Sequence, residues 1–152
     1  MSTLLIHHLE PMWEHGYRMM HTSFEDMAAK VYYHIKKEKS YDNIIMTFFE
    51  NTELTDDHWM FNRFTPQVYD YAYGWDLGEE MDYDIEAGNT TEWTEGGNHS
   101  RHVWVPDWIH QLARNEDDIG FCGAFDGECI EDMEIALEAA GAKYHRLNHL
   151  IV

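Results

Sequence analysis

Cys129 is the residue whose chemistry most needs explaining, because it stands where the apolar run "DIGFCGAF" (118–125) gives way to the amphipathic stretch "ECIEDMEIALEAAG" (128–141). A thiol at a strand-to-helix turn is either a nucleophile or a small residue that fills space. The helix N-terminus favours its thiolate through the dipole. Asp126, Glu128, Glu131 and Asp132 all oppose that ionisation. The only other cysteine, Cys122, lies seven residues earlier in the same strand-turn-helix unit. Strand and helix diverge there, so two free thiols are expected rather than a disulfide.

Eleven histidines raise the question of a metal, which needs ligands that converge in space. Asp56 and His58 in "TDDHW" have Asp-x-His spacing, and His99 and His102 in "HSRH" form a His-x-x-His pair beside two glycines. Asp-x-His is common by chance, and "HSRH", following "GG", reads equally as a loop. His7 and His8 are neighbours on an expected strand, so they should point to opposite faces and not share one ion, one facing the core and one a site. The expectation is therefore no metal site and no cofactor. No phosphate-binding glycine loop, nucleophilic serine motif or zinc-finger spacing is present.

The elements that must position Cys129 read as an α/β domain. "TLLIHHL" (3–9) is a short apolar strand, and Pro11 suits a first helical turn. Large apolar residues at 13, 17, 20, 24, 27, 31 and 35 make a helical stripe, with Thr22 and Glu25 as a capping box for a main helix from about Ser23 to Glu38. "YDNIIMTFFE" (41–50) is a second strand, and the strand-helix-strand order argues for a parallel sheet. After a loop-rich middle with one short strand or hairpin come a helix from Trp108 to about Asn115 capped by Asp107, a strand (118–125), a helix stopped at Gly141, and the strand "KYHRLNHLIV". With 152 residues, the chain is expected to be a single domain with an acidic insertion at about 51–97.

With these elements in order, Gly123, Asp126, Cys129, Ile130 and Gly141 resemble the isochorismatase-like cysteine hydrolases. The family pattern runs strand, Gly, two residues, Thr, two residues, Cys-Val, helix, and Gly twelve residues after the Cys. "LLIHHLE" resembles the family's first strand, which ends in Asp-Met-Gln, and "VPDWIHQL" resembles a family segment with Thr where Asp107 stands. The matches cover both ends of the chain and leave about residues 51–97 unmatched. The resemblance implies a three-layer sandwich with a mostly parallel central sheet, a nucleophile at Cys129, and a cis peptide involving Ala124 and Phe125 beside an oxyanion site. The family triad is Asp, Lys and Cys. On this register the Asp position is His8, and the Lys position falls near Asn98 or His99, in a chain with no lysine between Lys39 and Lys143.

Two functional expectations follow. In one, His8 serves as base to Cys129 and the protein hydrolyses a small amide or related bond, with Asn98 and His99 nearby. Trp13, Phe125, Asp126 and Trp104 would then contact the substrate, Trp108 being a further candidate wall. In the other, catalysis has lapsed and the fold binds a ligand or a basic protein partner. Acidic residues outnumber basic ones 29 to 10, and residues 50–95 hold thirteen Asp or Glu against Arg63 alone. That charge disfavours direct nucleic-acid binding and suits either solvated surface or mimicry of DNA. The N-terminus reads as neither leader nor membrane span, so a cytoplasmic location is expected. Self-association into a homo-oligomer is implied by the family resemblance.

Overall fold

A computed structural model describes residues 1–48, 60, 63–70, 83–84, 102–103 and 105–152. Among the described residues, seven strands and four α-helices run in the order β1 (Ser2–His7), α1 (Glu14–Met19), α2 (Phe24–Tyr33), β2 (Asn43–Phe48), β3 (Gln67–Asp70), β4 (Tyr83–Asp84), β5 (His102–Val103), α3 (Asp107–Asn115), β6 (Asp118–Gly123), α4 (Cys129–Ala139) and β7 (Tyr144–Ile151). Five strands form one sheet in the order β3-β2-β1-β6-β7, and every pairing in it is parallel. β4 and β5 make a separate antiparallel pair.

β1 is the central strand, which explains its unbroken apolar run: Leu4, Leu5 and Ile6 are each fully buried, because both faces of the sheet are covered. Alternation along the strand divides them between two cores. Leu4 and Ile6 pack with Tyr17 of α1 and with Phe24, Met27 and Val31 of α2. Leu5 packs on the other face with Ile109 of α3 and with Ile130, Met133 and Leu137 of α4. The architecture is thus an α/β fold with helices on both faces of a parallel sheet. Burying each such Leu or Ile contributes about 1.5–3 kcal/mol, so the two cores together hold the layers in place.

The helix ends explain several differences from expectation. The stripe from Trp13 to Ile35 is broken, because α1 stops at Met19 and His21 adopts φ +58 before Ser23 caps α2 by accepting from Asp26 N–H at 3.1 Å. The cap is therefore Ser23 with Asp26, one residue later than Thr22 with Glu25, and Met20 is exposed. α2 passes into a π-helical turn over His34–Glu38, closed by Lys39 N–H to the His34 carbonyl at 2.9 Å. Asp107 is the first helical residue of α3 rather than its cap, which is Pro106 without a side-chain bond. α4 ends as expected: Gly141 at φ +74 lets its own N–H reach the Glu138 carbonyl and Ala142 N–H reach the Leu137 carbonyl, a Schellman closure. Among the described residues, no helix is long and apolar enough to cross a membrane.

Candidate active site

The chain leaves β1 for β2 and β3 on one side and returns to place β6 and β7 on the other, so strand order reverses between β1 and β6. Ligand crevices in such sheets open outside the carboxyl ends of the strands at that reversal. His7 ends β1 and Gly123 ends β6, paired in register. A Cβ at Gly123 would lie 1.9 Å from the His7 carbonyl oxygen, which accepts from Ala124 N–H at 2.9 Å. Only glycine permits this approach, and it brings the two strand ends together.

His8 follows with φ +54, a left-handed conformation that breaks the strand's alternation. Its N–H donates to the Thr47 carbonyl at 3.1 Å, and its ring stacks on His7 with centroids 3.7 Å apart and planes at 23°. The expectation that these rings point to opposite faces is therefore overturned, since β1 ends before His8 and the turn folds one ring onto the other. Both residues are buried: His7 has Nδ1 2.6 Å from Thr47 Oγ1, and His8, 1% exposed, borders a cavity. Burial holds His7 well below the ordinary histidine range, the neighbouring His8 adds to this, and the Cys129 backbone opposes it. A neutral His7 is thus a fixed platform for the His8 ring.

On the β6 side the Ala124–Phe125 peptide is cis, at the turn where the family resemblance implies one. The Phe125 carbonyl accepts from Glu128 N–H at 3.1 Å and Ile130 N–H at 3.2 Å, while Asp126 N–H donates to the Val152 carbonyl at 2.7 Å. These bonds hold the loop so that Cys129 opens α4. Burial pushes the Cys129 thiol up to about 11, with the Glu128 charge next; backbone N–H groups of Phe125 and Cys129 partly offset this by favouring the thiolate, and Glu10 adds a further upward push. At neutral pH the resting group is a thiol.

Cys129 and His8 line one cavity of about 370 Å³. Trp13, Met19, Met20 and Phe125 supply its apolar walls, with Asp126 and Glu128 adding two carboxylates. The Phe125 ring sits against Gly16, where a Cβ would fall 2.6 Å from Cζ, so α1 approaches closely because that residue has no side chain. Asp126 is held by Arg146 Nη2 at 2.9 Å, and Arg146 also reaches Glu134 at 2.6 Å. Glu10 is the residue that sequence reasoning missed. It is 1% exposed, accepts from Trp13 Nε1–H at 3.1 Å, and is bracketed by the Tyr17 hydroxyl, which donates to its carbonyl at 3.1 Å and accepts from its N–H at 3.2 Å. Its signal was available as the first charge after the apolar run of "LLIHHLE".

Five expected residues, Cys129, His8, Trp13, Phe125 and Asp126, thus share one cavity. Asn98, His99 and Trp104 lie outside the described residues, as do Asp56 and His58. Trp108 is not a wall of this site: it stacks on Tyr69 at 4.3 Å and lines a different, polar cavity with Thr3, Asn43 and Glu116. No protein-family model, curated protein or solved structure matches the chain.

Proposed function

We propose that this protein is a divergent cysteine hydrolase that cleaves a small amide or related bond in the cavity outside the carboxyl ends of β1 and β6. The observation that carries the reading is that Cys129 and His8 line the same cavity at the strand reversal, with backbone N–H groups of Phe125 and Cys129 favouring charge on the sulfur. Because the thiol rests protonated, proton removal must accompany attack. His8 takes the thiol proton as the sulfur bonds to the carbonyl carbon, and the backbone N–H groups stabilise the developing negative charge. The C–N bond then breaks and the leaving amine receives the proton from His8. Water attacks the thioester, releasing a carboxylic acid and restoring the thiol.

Apolar walls and the carboxylates of Asp126 and Glu128 favour a neutral or cationic substrate with an apolar body. A panel of small amides assayed for amine or ammonia release tests the reading. Turnover that disappears in Cys129→Ala and falls by about 100-fold or more in His8→Ala is expected. If no amide turns over, and Cys129 reacts with iodoacetamide with the same pH dependence in unmodified protein and His8→Ala, the hydrolase reading fails.

The upward-shifted thiol favours a second reading, a ligand-binding protein whose catalysis has lapsed. In that case, the cavity retains its ligand in Cys129→Ala, and a bulky Cys129→Trp replacement abolishes binding. The charge of −19 extends this reading to a basic protein partner. Such a complex weakens steeply with added salt, so retention that is equal at low and high salt excludes it.

A further inference from the structure

Outside the Cys129 cavity, and among the described residues, a group of metal-ligating side chains converges from two elements. His34 and Glu38 lie on the π-helical turn that closes α2, and His149 comes from the edge strand β7. Glu38 Oε1 is 3.4 Å from His34 Nδ1 and 3.9 Å from His149 Nε2, and the ligand atoms of all three residues lie within 4.8 Å of one another. Tetrahedral ligands bound at about 2.1 Å stand about 3.4 Å apart, so small rotations of the two exposed side chains complete the geometry.

His34 supplies the independent observation. Its side chain is 6% exposed, its Nε2 is 2.6 Å from the Tyr41 hydroxyl, and its buried Nδ1 has no hydrogen-bond partner although it faces the Glu38 carboxylate. When Nε2–H donates to Tyr41, the Nδ1 lone pair faces a carboxylate oxygen, an arrangement that calls for a positive charge between them. A proton on Nδ1 would bridge two of the three groups, whereas a cation at the centre serves all three. The Tyr41 contact is the kind of outer partner that fixes tautomer and ring direction in a ligating histidine.

We propose that His34 Nδ1, the Glu38 carboxylate and His149 Nε2 form a binding site for a divalent transition-metal ion of the zinc type. Two imidazoles with one carboxylate suit zinc, cobalt or nickel rather than calcium or magnesium, which prefer all-oxygen shells. Three protein ligands leave a fourth position for water on the solvent side, beside an open cavity of about 460 Å³ lined by Ala29, Lys30, Tyr33 and Leu150. The ion would pin the edge strand β7 to the end of α2. The site is independent of the hydrolase reading.

The full chain, stripped of metal with a chelator, is titrated with Zn²⁺ by calorimetry and with Co²⁺ by visible absorption. One equivalent of Co²⁺ with a low-symmetry, four- or five-coordinate spectrum is expected. Because loss of an outer-shell partner alone costs about 10–100-fold, His149→Ala and Glu38→Gln should each weaken binding at least tenfold. Both side chains are exposed, at 57% and 45%, so the variants should fold, which far-ultraviolet circular dichroism verifies. His145→Ala on the same strand and Cys129→Ala should bind as the unmodified chain does. Unchanged affinity in His149→Ala and Glu38→Gln, or binding lost in Cys129→Ala, would overturn the proposal.

Discussion

At the residue scale, Cys129 is governed by opposing influences of known sign. Burial and the Glu128 carboxylate raise its pKa, while two backbone N–H groups act in the other direction. Glu128 is exposed, so its field is screened but not abolished. Glu128→Gln should lower the thiol pKa and speed iodoacetamide alkylation at pH 8 by roughly threefold, equivalent to about half a pH unit. The gain should shrink at high ionic strength. An unchanged alkylation rate would show that Glu128 does not set the thiol's ionisation, leaving burial as the cause.

At the element scale, the close approach of the paired ends of β1 and β6 decides whether the site forms. The Gly123 backbone lies against the His7 carbonyl with no room for a Cβ, and the same carbonyl receives the Ala124 N–H. Because Gly123 also has φ +131, Gly123→Ala combines backbone strain with a clash against main chain that cannot rotate away. It should destabilise the fold by roughly 3 kcal/mol or more, at the upper end of single-substitution effects. Urea unfolding measures this directly, and a variant with an unshifted midpoint would show that the two strand ends can separate freely.

At the scale of the whole molecule, titratable groups shifted by the fold define a pH window. His7 is held below its unfolded value, so its contribution is fully present above about pH 6.5 and is lost as pH falls toward its folded pKa. Asp118, lowered by Lys39 at 2.6 Å, adds a loss at still lower pH, below about 4. Cys129 is raised to about 11, and burial pushes Cys122, Tyr17, Tyr41 and Tyr144 upward as well. Their contribution is complete below their unfolded values and falls away as pH rises from about 9, because the unfolded chain releases those protons first. Urea midpoints should be highest between about pH 6.5 and 9 and lower at pH 5 and pH 10. A midpoint that rises steadily from pH 8 to 10 would contradict the burial of these thiols and phenols.

Much of the molecule was determined by local sequence. The continuous apolar run of β1, the i, i+3, i+4 spacing in α2 and α4, and Gly141 as a helix stop are each decided by residues near one another in the chain, where steric and hydrogen-bonding rules act directly. The intervals from Gly123 to Cys129 were legible through the family resemblance, whose register also put His8 at the site, although the strand was expected to run on to Leu9. Other features required the folded chain. The left-handed turn at His8 arises where β1 ends, its N–H taken by the Thr47 carbonyl about forty residues away, and the burial of Glu10 against Trp13 and Tyr17 depends on how α1 closes over the sheet. The His34 and Glu38 pair was visible as an i, i+4 spacing in "HIKKE", yet its meeting with His149 depends on β7 pairing beside β6. Local rules set which segments become strands and helices; the convergence of side chains distant in sequence is set only by packing the sheet and its two helical layers into one body.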